Sequence, residues 1–170
     1  MWRLIPNPAN YNQRLNSNYL LMHFTRLSKK FRMPNIDLFA SISNYKCKKY
    51  ISWKIDPGSI AIDSFTISWK STKFYAFPPF SQILRALRKI KKDEAEGIMV
   101  VPYWTHQAWF LLFQSLLISE PIIFTPNMNL LKFSNREPHL LWKSLSLVAG
   151  KLSAKHSRSK EYQQWLFKQV

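Results

Sequence analysis

The run Phe77-Pro78-Pro79-Phe80 has the residue types to shape a binding mouth. Its two prolines fix φ and remove backbone donors, so the turn is rigid, and the flanking phenylalanines can offer flat apolar surfaces to a nucleobase. A proline-stiffened connection inside a core would use the same residues. The carboxylates Asp37, Asp56 and Asp63 have no spacing that gathers them around a metal, and separate turn roles explain them more economically. The single Cys47 stands beside Lys46, Lys48 and Lys49, cations that would favour its thiolate, and it has no partner for a disulfide or a metal site. His23, His106, His139 and His156 lack ligand spacing, so no metal is expected.

A second constellation is cationic. Arg85, Arg88, Lys89 and Lys92 fall on one side of a predicted helix, and Lys155, Arg158 and Lys160 begin a basic tail. Such side chains contact phosphates and carry little sequence information. Trp53, Trp69, Tyr103 and Trp104 would add base stacking wherever they are exposed, although such rings are more often buried. The composition points the same way: 25 Lys+Arg against 9 Asp+Glu, a formal charge of +16 and a pI near 10.1 attract a polyanion through counterion release. DNA or RNA is the expected partner, with an unbalanced solvated surface as the plainer alternative. Three glycines against ten prolines argue against a glycine-rich phosphate loop.

These residues need a scaffold, and 170 residues that are 46% hydrophobic and 15% aromatic suffice for the core of one ordinary domain. Leu20, Leu21, Phe24, Leu27 and Phe31 recur at helical spacing over 19–31, and Pro34 stops that helix. Short apolar runs at 36–39, 50–53, 74–77, 98–101 and 122–124 read as strands. A helix should start from Ser81 as its cap and bury Ile83, Leu84, Leu87 and Ile90; others are expected over 107–117 and 140–152. The stretch 60–69 after the Asp56-Pro57-Gly58 turn reads as short or irregular extended structure. Alternating strands and helices predict a three-layer α/β sheet, with an irregular lead-in and helix at 1–33, a core at 34–134 and a helical basic tail at 135–170. The apolar stretch 108–118 is too short to span a bilayer and the amino terminus lacks a secretory core. The expected setting is therefore soluble and intracellular, the nucleus included, with no membrane partner.

Read in order, Ile36-Asp37-Leu38-Phe39-Ala40-Ser41, Asp56-Pro57, Ala61-Ile62-Asp63-Ser64-Phe65 with Trp69, Tyr75-Ala76-Phe77-Pro78-Pro79-Phe80, and Val100-Val101-Pro102-Tyr103-Trp104 with Trp109-Phe110 form a recognisable set. It resembles the region that follows reverse transcriptase and RNase H in DIRS-type, tyrosine-recombinase retrotransposon polyproteins. That region is itself similar to phage-type DNA N-6-adenine methyltransferases. The resemblance covers 34–124 well, continues weakly through Pro138-His139-Leu140 to 152, and leaves the amino terminus unmatched. It implies a doubly wound, mostly parallel, methyltransferase-like and incomplete sheet that binds S-adenosylmethionine, with an Asn/Asp-Pro-Pro-aromatic motif receiving an extruded adenine.

In that motif the leading polar side chain and a backbone carbonyl accept hydrogen bonds from the adenine amino group, turning its lone pair toward the methyl, while the ring stacks on the base. Phe77 stands at the polar position and accepts none, a loss of about a few kcal/mol of transition-state stabilisation. Pro78, Pro79 and Phe80 match the motif. Asp37 falls in the strand that resembles the cofactor strand, and Asp63 and Trp69 match the phage-type pattern, but the glycine loop of many methyltransferases is missing. The resemblance thus implies a catalytically degenerate, nucleic-acid-associated module of a retroelement polyprotein, working beside polymerase or recombinase modules and holding no cofactor. An active DNA adenine methyltransferase using S-adenosylmethionine and another acceptor is the first alternative. A non-catalytic structural or interaction domain is the second.

Overall fold

The computed structural model describes residues 17–127, 143–155, 160 and 162–164. The helical stripe read from the sequence forms α1 (Ser17–Phe31), which buries Phe24, Leu27 and Phe31 and is closed by Arg32 in the left-handed region at φ 73°. The chain then runs through β1 (Ile36–Asp37), β2 (Lys49–Ser52), β3 (Ala61–Ile62), β4 (Lys73–Ala76), α2 (Ile83–Lys92), β5 (Glu96–Pro102), α3 (Phe110–Leu116), β6 (Ile122–Phe124) and β7 (Leu147–Ser153). Short 3-10 turns lie at Ser64–Thr66 and Phe80–Gln82.

The strands form one seven-stranded sheet in the order β3-β2-β1-β4-β5-β7-β6. Neighbours from β3 through β5 are parallel, whereas β7 is antiparallel to both β5 and β6. The fold is therefore α/β, with a mostly parallel mixed sheet. Strand order reverses between β1 and β4, the position at which open α/β sheets place a ligand crevice beyond the carboxyl ends of their strands.

Alternation along the strands assigns side chains to two cores. Phe74, Ala76, Met99 and Val101 face α2 and α3, where they join Ile83, Leu87, Ile90, Phe110 and Phe113. Tyr75, Phe77, Ile98 and Val100 face the other way and meet Phe24, Leu27 and Phe31 of α1. Burial of Ile83, Ala86, Leu87 and Ile90 leaves Arg85, Arg88 and Lys92 exposed on the opposite side of α2, as its amphipathic pattern requires.

Several elements differ from the sequence expectation. Leu147–Ser153, most of the helix expected over 140–152, is a strand that pairs with β5 along its whole length; residues 140–142 lie outside the described part. Leu147, Val148, Ala149 and Leu152 are buried on both faces of the sheet, and a run without a polar side has no period to separate strand from helix. Part of the expected helical tail is thus a strand inside the sheet. Ser81 does not cap α2: it sits within the preceding 3-10 turn, and the cap position belongs to Gln82, which makes no side-chain cap bond. Helix α3 starts at Phe110 because residues before it turn through Gln107 N–H to Trp104 O and Phe110 N–H to Gln107 O. Stretch 60–69, in keeping with its expected short or irregular extended structure, holds the edge strand β3 and a 3-10 turn. No helix among the described residues is long and apolar enough to cross a membrane.

Candidate functional site

The carboxyl edge of the parallel strands gathers the motif residues. Asp37 ends β1, Asp63 follows β3, Phe77 to Phe80 follow β4, and Tyr103 and Trp104 follow β5. Leu38 N–H donates to Tyr75 O at 3.0 Å and Ala40 N–H to Ile51 O at 3.0 Å, so the chain leaving β1 stays wedged between β4 and β2 before it turns away.

Asp37 is 2% exposed. Its Oδ1 accepts the Phe39 N–H at 3.3 Å and its Oδ2 accepts the Lys46 N–H at 3.1 Å, tying both ends of the 38–48 loop to the strand. Burial pushes this carboxyl up to about 6, with the two amide bonds and the Lys46 charge opposing that rise. The expected thiolate character of Cys47 does not hold. Burial first, and the Asp37 charge second, push that thiol up to about 12, overriding Lys46; Lys48 and Lys49 point to solvent.

The other two carboxylates also hold backbone. Asp56 Oδ1 accepts the Tyr50 hydroxyl at 2.6 Å and the Gly58 N–H at 3.1 Å, while Oδ2 accepts the Ile42 N–H at 2.8 Å, locking the loop after β2 to the loop after β1. Asp63, at φ 57°, accepts the Phe65 N–H at 3.0 Å and so opens the 3-10 turn. That turn swings Phe65 against Phe39, with ring centroids 5.6 Å apart, and both rings contact Trp69. Trp69 is wholly buried and donates its indole N–H to Ser64 O at 2.8 Å, which makes it a core ring and not a stacking surface. The Phe39–Phe65 pair escaped sequence reasoning because only the parallel pairing of β1, β2 and β3 brings these rings together.

On the other side of the strand-order reversal, Pro78 and Pro79 connect the end of β4 to the 3-10 turn at Phe80–Gln82, with Pro79 at φ −52°. Phe77 is 6% exposed, its ring packed in the core shared with α1. Phe80 is half-buried, touches both cores, and meets Trp104 edge-on with centroids 5.2 Å apart. Of the rings proposed to stack bases, Trp53, Tyr103 and Trp104 are exposed, at 62%, 43% and 36%. Tyr103 leans on Phe110, centroids 5.7 Å apart.

The cations divide into engaged and exposed groups. Arg85 lays its guanidinium 3.9 Å from the centre of the Phe65 ring, and Lys89 pairs with Asp93 at 2.9 Å. Arg88, Lys92, Lys155 and Lys160 are exposed, while Arg158 lies outside the described residues. Arg85, Arg88 and Lys92 share the exposed side of α2, with Arg85 also resting on Phe65. No protein-family model matches the chain, and no curated protein matches it.

Proposed function

We propose that this chain is a catalytically degenerate, methyltransferase-like module of a retroelement-derived polyprotein that associates with nucleic acid. The strand order supports the first part. The parallel strands ordered β3-β2-β1-β4-β5, with the order reversing between β1 and β4, are consistent with the doubly wound sheet that the resemblance implies. The observation that carries the degenerate reading is Phe77. At the end of β4, where an adenine amino group would need an acceptor, the chain has a benzyl ring that faces the core.

The residues around β1 do not fit S-adenosylmethionine. Asp37 is buried on two loop amides, Asp56 clamps a neighbouring loop, Asp63 caps a turn, and the Phe39–Phe65 ring pair packs on Trp69 at this edge. Without a glycine in the 38–48 loop, the backbone has no position for close approach to a cofactor. The nucleic-acid part of the reading rests on the net charge and on the exposed Arg88, Lys92, Lys155 and Lys160.

Incubation of the purified chain with methyl-labelled S-adenosylmethionine and adenine-containing DNA tests the proposal. No transfer above background is expected, together with duplex binding that weakens as salt rises. Labelled adenine in the product would establish the active-enzyme alternative, and absence of binding at low salt would remove the nucleic-acid part.

A further inference from the structure

Topology places many cations at the opposite edge of the sheet, where the parallel strands begin. Lys49 opens β2 and Lys73 opens β4, both exposed, with Lys48 exposed beside them. Asn35 N–H donates to Lys73 O at 2.8 Å, which puts the start of β1 and the preceding Arg32 in the same row. Because β7 runs antiparallel, its end returns to this edge: Ser153 is opposite Glu96, Ala154 N–H donates to Ala95 O at 3.1 Å, and exposed Lys155 follows. Helices α1 and α2 also end here, adding exposed Lys29, Lys30, Lys91 and Lys92.

Carboxylates do little to neutralise this row. Asp93 pairs with Lys89 at 2.9 Å and Glu96 pairs with Lys151 at 3.5 Å, which leaves Glu94 and, beyond the row at the start of β6, Glu120 as exposed acids of this edge among the described residues. Helix dipoles alone would favour basic residues in the last turns of α1 and α2. They give no reason for Lys48, Lys49, Lys73 and Lys155, which stand at strand ends where the backbone dipole is small.

Resting on the nucleic-acid reading above, we infer that this strand-start edge is the phosphate-binding face and that its ligand is a nucleic-acid duplex. From β2 to β7 the row crosses β1, β4 and β5, a width of roughly 19 Å at about 4.8 Å per strand, matching about five or six base pairs of backbone. Its chemistry is cationic and not aromatic. Among the described residues, the exposed rings Trp53, Tyr103 and Trp104 lie toward the carboxyl edge and Tyr45 is stacked on Tyr50, so these rings give the row no set of stacking platforms of the kind that favours single strands. Phosphates held here lie across the sheet from the Phe77-Pro78-Pro79-Phe80 turn. The chain therefore grips the duplex from outside without drawing a base toward that turn.

Anisotropy titrations of a labelled DNA duplex with the full chain over a series of salt concentrations test this. The triple variant Lys49→Gln, Lys73→Gln, Lys155→Gln should bind at least tenfold more weakly at low salt. Its slope of log affinity against log salt should be shallower by about 2 to 3, at roughly 0.9 per phosphate contact. Lys→Arg at the same three positions should keep both quantities, and unchanged circular dichroism confirms that the glutamine variant folds. If the wild type binds no duplex, the nucleic-acid reading falls and this inference with it. The inference alone is overturned if the wild type binds but the triple variant keeps its slope while Arg88→Gln loses binding. Preference for single-stranded DNA, or equal binding to phosphatidylserine vesicles, also overturns it.

Discussion

A benzyl side chain has no lone pair, and Phe77 is built into the core between the sheet and α1 beside Tyr75 and Phe24. Placing a polar group there should not create an acceptor site, because an amide at that position lies among apolar rings. Phe77→Asn is expected to leave methyl transfer at background and to lower stability by about 3 to 5 kcal/mol, from lost packing and an unpaired buried amide. Urea unfolding gives the second quantity, and a gain of transfer activity would refute the structural role assigned to Phe77. Asp37 makes a different prediction, through its proton. Its carboxyl rises from 3.8 when free to about 6 in the fold, so the folded chain holds a proton that the unfolded chain releases. The stability contributed this way is present below pH 4 and is lost as pH rises through 6, by about 3 kcal/mol at 1.36 kcal/mol per unit. Asp37→Asn should remove that slope, so the stability difference between wild type and variant should change between pH 4 and 7 and stay level above it. A difference that is flat across the whole range would show that Asp37 does not titrate with folding.

Glycine matters to one strand of this sheet. A Cβ on Gly97, the second residue of β5, would strike the Phe74 carbonyl oxygen and the root of its ring, neither of which can swing away. At Gly150 on β7 the obstacle is a Leu117 methyl, the far end of a flexible side chain. Gly97→Ala should therefore cost about 3 kcal/mol or more and Gly150→Ala clearly less, as read from urea midpoints; the reverse order would contradict the packing of β4 on β5. The same elements show what a sequence discloses. β4 and β5 were legible because short apolar runs ended at prolines, and α2 because Ile83, Leu87 and Ile90 alternate with Arg85 and Arg88 at helical spacing. β7 was not, since a strand buried on both faces has no period, and β3 was not, since its two residues are defined by pairing with β2 and by little of their own. For the site, the two prolines marked where β4 ends and the chain turns toward α2. The contact of Phe39 with Phe65, and the clamp from Asp56 to Ile42, depend on contacts between loops that no local spacing encodes.

At the scale of the whole molecule, the charge of +16 acts on stability and, on the nucleic-acid reading proposed above, should act on binding with the opposite dependence on salt. Like charges spread over a small surface repel one another in the folded state more than in the expanded chain, so added salt should stabilise the free protein by screening. A bound duplex reverses the trend. At a ligand concentration about 100 times Kd, binding contributes about 2.7 kcal/mol to the folded state, and that contribution fades as salt competes for the phosphates. Thermal unfolding followed from 50 mM to 500 mM salt should therefore give a Tm that rises for the protein alone and falls for the protein with excess duplex, the two curves meeting at high salt. The Gln triple variant at Lys49, Lys73 and Lys155 sharpens the expectation. Alone, it should melt slightly higher than wild type at low salt because three repelling charges are gone, and with duplex it should show a smaller rise. A row of lysines kept for the fold would give the opposite, a variant that melts lower in both conditions. The sign of the Tm change in the free protein thus separates a surface that costs stability in order to bind from one that supports the fold.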